Sequence, residues 1–342
     1  MPSKIRRAAL LFSLSIALSA TASAQTVLCE NGECLPMISQ VTYFERPAYR
    51  LTDGKTEAII VPEIGRIMSY GKVGGANLLW NSPTKDGLNG GGWKNYGGDK
   101  TWLSPQSSWQ EFHGKAGWPP DNALDGSAYK PDVLTGGKLQ MTSPLSPSGI
   151  RLTRTMYFDD KSGEFVIEQM ARKEKGAPIR ASIWSITQVV PGQVTFLPAN
   201  ANSTYPNSYA RLQGQSERIE LVNPNLLRLF PYLENGGAKF GIDAPVSALV
   251  SVHDQVAFLQ KTTQPTGEYP DAKGGAGFPV EVFVSGDPAN RYIELELLGP
   301  LKTFSVGGKS TQTVKWSLHN LPSRFNGSPE ITIAIEKLLY GR

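Results

Sequence analysis

Most of the chain beyond its first forty residues is patterned in period two. In Phe165-Val-Ile-Glu-Gln-Met170, Phe165, Ile167 and Gln169 fall on one side, and Val166, Glu168 and Met170 on the other. That is the alternation of a half-buried strand. The pattern predicts further strands over Thr56–Val61, Arg66–Tyr70, Lys138–Thr142, Ile150–Phe158, Ile179–Val190, Arg218–Val222, Ala248–His253, Val280–Val284, Tyr292–Leu298 and Thr313–Leu318. These runs are short, separated by turn residues and without amphipathic helices between them. The fold class they predict is an all-β sandwich of antiparallel strands. One helix signal stands at the C-terminus, where Ser328-Pro329-Glu330 offers a cap, a first-turn proline and an acid. Ile331, Ile333 and Ile335 nevertheless alternate, so a terminal strand stays open as the other reading. No repeat, low-complexity tract or linker interrupts the pattern, which leaves one domain over 41–342.

One stretch breaks the alternation. Four of the seven tryptophans, Trp93, Trp102, Trp109 and Trp118, fall in a Gly/Pro-rich segment from Gly90 to Asp121. Such glycine density predicts an irregular loop rather than a helix or strand, and its aromatic content argues against disorder. Indole faces beside Asn95, Tyr96, Asp99, Lys100, Gln106 and Asp121 suit a sugar. Its C–H face packs on a ring while its hydroxyls take amides and charges. About half of the indoles are expected to line a pocket and the rest to anchor the loop. Asp99-Lys100 reads either as sugar contacts or as a solvated ion pair. Asp121, Asp125 and Asp132 fall at EF-hand-like spacing, but Ala123 occupies the third position and no flanking helices are evident, so no metal is expected. No cofactor is expected either.

The first residues read as a leader. Lys4, Arg6 and Arg7 precede an apolar run over Ala8–Ala20 and a small-x-small site at Ala22-Ser-Ala24, the form of a signal peptide over 1–24. This predicts a periplasmic or secreted protein. The full chain carries a formal net charge of +4; without three leader cations, 31 basic residues face 30 acidic ones. A nearly neutral mature chain gives no case for nucleic acid or an anionic membrane as partner. Cys29 and Cys34, the only cysteines, stand in the 25–40 segment around Asn31-Gly32, and an oxidising compartment would join them as a disulfide.

Three strings resemble a known family. Leu51–Tyr70 with Asn77-Leu-Leu-Trp80 looks like the opening hairpin of galactose-mutarotase-like proteins. Val280–Val284, Tyr292–Pro300 and Gly307-Gly308 before Val314-Lys-Trp316 look like its closing strands. Trp93–Trp102, with Pro105-Gln106 and Trp118-Pro-Pro-Asp121, is similar to an exported bacterial branch, domain of unknown function 4380. The resemblance implies a β-supersandwich with a sugar site on its concave sheet. In active epimerases of that fold a glutamate takes the anomeric hydroxyl proton and a histidine protonates the ring oxygen. Glu294 and Glu296 match the region of the base and, two apart on one strand, project from one face. The histidine strand corresponds to Ile183–Gln188, which carries Trp184 and Gln188 and no histidine. His113 is the replacement acid that the loop offers, and Arg66 either binds substrate or supports the hairpin. The readings that follow are an exported carbohydrate-binding protein, with or without anomer exchange, or an accessory domain of a polysaccharide-degrading system.

Overall fold

The computed structural model describes residues 37–89, 92–114, 117–215, 218–231 and 236–341, with the backbone of Cys29–Glu30 and Glu33–Cys34. The leader and the side chains of the expected disulfide lie outside the described residues. The two short strands there pair antiparallel, with Cys29 opposite Cys34.

Two large antiparallel sheets pack face to face. The ten-stranded sheet runs from Lys130–Leu134 at one edge through Ile150–Phe158, Phe165–Lys173 and Lys309–Asn320 to Ile219–Asn223 at the other. In the eleven-stranded sheet, Ala210–Gln213, Ala238–Ile242, Val280–Val284, Ile293–Leu298, Ile179–Val189, Asp99–Ser104, Arg66–Lys72, Thr56–Val61, Arg46–Thr52 and Met37–Tyr43 follow one another, and Lys302–Phe304 pairs alongside Ile179–Val189. The facing sides bury one continuous core that includes Ile67, Tyr70, Met156, Phe165, Leu295 and Trp316. Alternation explains the partition. Along Phe165–Lys173 the odd positions Phe165, Ile167, Gln169 and Ala171 are buried, while Glu168 and Arg172 are exposed.

The C-terminal segment is a helix, Pro329–Tyr340, and not the alternative strand. Ile331, Ile335 and Leu339 share one face and are buried; Ile333 is exposed. They pack on Val194, Phe196, Val250, Val252 and Leu259, on the outside of the ten-stranded sheet. Burial on that face decides for the helix over the short-range alternation.

The tryptophan-rich stretch departs from the sequence expectation. Asp99–Ser104 is a strand, every residue of it buried, seated between Ile179–Val189 and Arg66–Lys72 in the middle of the sheet. A short helix, Trp109–His113, follows. Glycine density marked the approach to the strand rather than its absence. Gly97 (φ 86°) and Gly98 (φ 70°) thread the chain so tightly that a Cβ would lie 2.2 Å from the Trp80 carbonyl and 2.3 Å from that of Ile67. Only glycine fits there.

Candidate functional site

Period two sorts the side chains of the central strands onto two faces. Asp99 and Thr101 point into the sandwich; Lys100 and Trp102 point out of it. Across the outer face the register sets Trp102 beside Trp184, Gln188 beside Glu294, and Glu296 beside Glu281. Lys239 pairs with Phe283, which in turn pairs with Glu294. Trp102, Trp184, Lys239, Phe283, Glu294 and Glu296 line a cleft of about 420 Å³ together with Trp93, Trp118, Asn95, Gln106, Asp287 and Tyr292, while Lys100, Gln188 and Glu281 stand behind its wall. A shallower extension of about 240 Å³ continues past Gln106, Trp184, Gln213 and Lys239 to Asp271 and Lys273.

Two ion clusters form the floor. Lys239 lies 2.6 Å from Glu281 and 3.0 Å from Glu296, with its ammonium 4.2 Å from the Trp184 ring centre. The Trp184 indole N–H donates to Glu296 at 2.7 Å. Burial works to lower the Lys239 pKa, but the two carboxylates outweigh it and hold the group well above the lysine range. Burial likewise raises Glu281 and Glu296 against the pull of Lys239. In the second cluster Lys100 donates to Glu294 at 3.0 Å and Gln188 to the same oxygen at 3.1 Å. Burial pulls the Lys100 pKa down, and Glu294 opposes it. Tyr292 beside them is pushed far above the phenol range, first by burial and then by the Glu294 charge, so it meets a ligand as a protonated phenol.

The indoles divide by position. Trp109 is 2% exposed and donates to the Leu103 carbonyl at 2.9 Å, so it anchors the short helix and stays out of the cleft. Trp118 is 42% exposed and stands edge-on to Trp93 at 4.9 Å. Trp184 and Trp102 have ring faces covered by Lys239 and by Lys100 at 5.0 Å, which leaves Trp118 as the accessible platform.

Several residues expected in the site stand elsewhere. Asp99 is wholly buried and pairs with Arg154 of the opposite sheet, with Thr187 donating at 2.8 Å. Strand parity forbids it from joining Lys100 at a ligand. Arg66 is also buried; it pairs with Asp125, which accepts the Trp93 indole N–H, and it donates to the Gly97 carbonyl at 2.8 Å. Arg66 therefore supports the wall without touching the cleft. Asp125 is committed to that pair and Asp121 accepts from Ser146 and from the Ala123 amide, so the EF-hand-like spacing does not fold into a cation loop. Tyr96 packs against Arg46 and Arg66 beside a separate hollow. His113 lies in a small interior space with Trp109, Phe112 and Asp121, on the far side of Trp102. A wall of indole separates it from the cleft, and no histidine is among the cleft residues.

Sequence reasoning missed Lys239 and Glu281. A signal for Glu281 existed: a lone acid inside the apolar run Val280-Glu-Val-Phe-Val284 must be paired or functional. Lys239, on a short strand after Gly236-Gly237, offered none.

No protein-family profile matches the sequence, and no curated protein matches it. Among solved structures, the chain is similar to the galactose mutarotase related enzyme of Lactobacillus acidophilus, with a TM-score of 0.54 at 8% identity, over 82% of this chain and 100% of that one. It is also similar to a TPR-domain containing protein from Parabacteroides distasonis, with a TM-score of 0.52 at 12% identity, over 83% of this chain. This chain spans 50% of that protein's length. At such identities the likeness is one of fold: the chain has the galactose mutarotase-like β-sandwich.

Proposed function

We propose that the protein is an exported carbohydrate-binding protein whose ligand lodges in the cleft over the eleven-stranded sheet. The observation that carries this reading is the convergence of an accessible indole, Trp118, with carboxylates, an ammonium group, amides and a protonated phenol in one cavity of about 420 Å³. A pyranose offers both an apolar C–H face and a rim of hydroxyls, and few other small solutes need both at once. The leader-like residues 1–24 support export, and the resemblance of Trp93–Asp121 to an exported bacterial branch supports the same placement. Titration of the mature protein with a panel of mono- and oligosaccharides, followed by tryptophan fluorescence, tests it. Saturable quenching is expected with at least one sugar, and a flat response across the panel would sink the reading.

A second reading adds anomer exchange, and the placement of both Glu294 and Glu296 on the cleft wall favours it. Glu294, bonded by Lys100 and Gln188, takes the proton of the anomeric hydroxyl. The bond from C1 to the ring oxygen breaks, and that oxygen receives a proton from the Lys239–Glu296 cluster in place of a histidine. Reclosure from the opposite carbonyl face returns both protons. NMR exchange between the two anomers of a bound sugar tests this step. Binding without acceleration of exchange leaves the protein a binder only.

A further inference from the structure

Charge on the cleft wall is lopsided. Asp287, Glu294 and Glu296 line it against one ammonium, Lys239, and a second ammonium, Lys100, stands behind Glu294. Among the described residues the wall carries one buried acceptor without a hydrogen-bond partner, Glu296 Oε1, and one such donor, Trp102 Nε1, and leaving either unpaired is costly. Glu281 and Gln188, each 0% exposed, lie behind the wall. The extension adds one charge of each sign, Asp271 and Lys273, and leaves the excess of carboxylate unchanged. Lys239 is held by two carboxylates against the Trp184 face and Lys100 by Glu294 against Trp102, so the positive charge near the wall is already compensated.

We infer that the cleft selects glycans carrying a protonated amino group, an amino sugar or an oligosaccharide containing one, and refuses acidic sugars. An ammonium brings a positive charge and three donors to a wall where carboxylates outnumber ammonium groups. A uronate or a sugar phosphate brings negative charge to a wall already rich in carboxylate, and like charges repel. The inference rests on the carbohydrate reading above and narrows it to a class of ligand.

Three trisaccharides test it on the intact mature protein by isothermal titration: a β-1,4 trimer of glucosamine, the same trimer N-acetylated, and a trimer of galacturonic acid. The first two share a backbone and differ mainly in charge. The free amine is expected to bind at least about tenfold more tightly than its acetylated form, a difference of about 1.4 kcal/mol. The uronate is expected to give no saturable heat. Glu294→Gln and Glu296→Gln should each shrink the preference for the amine, with thermal melting confirming that each variant is folded. Equal or tighter binding of the acetylated or acidic trimer, or a preference that survives both substitutions, would overturn the inference while leaving carbohydrate binding intact. Heat from none of the three, together with a flat response to the wider sugar panel, would remove both.

Discussion

Asp99 and Lys100 are adjacent on one strand and serve opposite faces of the sheet. Asp99 turns inward to Arg154, both side chains fully buried, and with Thr187 the pair ties one sheet to the other. Lys100 turns outward to Glu294, whose side chain keeps 13% exposure on the wall of an open cleft. The ion pairs are alike in kind and differ in what surrounds them. The inner carboxylate is met by protein donors on both oxygens. The outer face leaves Glu296, Glu281 and Gln188 with orphaned acceptors. Orphaned groups occur inside too, at Arg154 Nε and Gln260 Nε2; what sets the outer side apart is that its carboxylates line an open cleft that a ligand can enter.

The comparison breaks most visibly at the inner pair. Asp99→Leu or Arg154→Leu alone should cost about 3–5 kcal/mol of unfolding free energy, because each strands a buried charge. The double variant should recover most of that loss in urea denaturation. A single variant that melts like the parent would show that Asp99 does not clamp the sheets.

The indoles draw the same contrast with a similar inner effect. Trp109→Ala should destabilise by about 3–5 kcal/mol through the cavity it leaves. Trp118→Ala, on an exposed ring, should shift thermal stability by less than about 1 kcal/mol.

At the outer pair the larger loss is expected in binding. Glu294→Gln removes a charge-assisted acceptor and should weaken ligand binding about tenfold or more. It also takes the counter-charge from Lys100, which is 1% exposed, so it should cost about 1–3 kcal/mol of stability, less than either single variant of the inner pair. A loss of stability as large as that of Asp99→Leu, with binding unchanged, would make Glu294 a structural residue.

The smallest effect expected is in pH dependence. Burial raises Glu281 above the usual carboxylate range in the folded state, so the folded protein binds protons more tightly there than the unfolded chain does. Its contribution to stability is complete below the ordinary glutamate range and is lost as pH rises through the raised value. Glu281→Gln should therefore flatten the decline of stability between weakly acid and neutral pH, by about 1 kcal/mol. Unchanged slopes in parent and variant would contradict the shift.

What the sequence disclosed follows from where its signals were local. Strand parity placed Glu294 and Glu296 on a common face, and the structure sets both on the cleft wall. The same rule, applied to Asp99-Lys-Thr-Trp-Leu-Ser104, would have split Asp99 from Lys100, but the neighbouring glycines disguised a strand as loop. Arg154 was legible too: it shares its parity with Ile150, Leu152, Met156 and Phe158, all buried, and an arginine among them requires an acid opposite. Lys239 was not legible, since its place beside Glu281 and Glu296 is made by pairing between strands far apart in the chain. The position of His113 behind Trp102 depends on the turn into Trp109–His113, which no periodicity encodes.

The most direct trial of the account is sugar titration of the parent and of Trp118→Ala, side by side, with thermal melting of both. The account predicts saturable binding by the parent, a loss of about tenfold or more in the variant, and closely similar melting curves. Equal affinities in the two proteins, or no saturable binding by the parent, would contradict it.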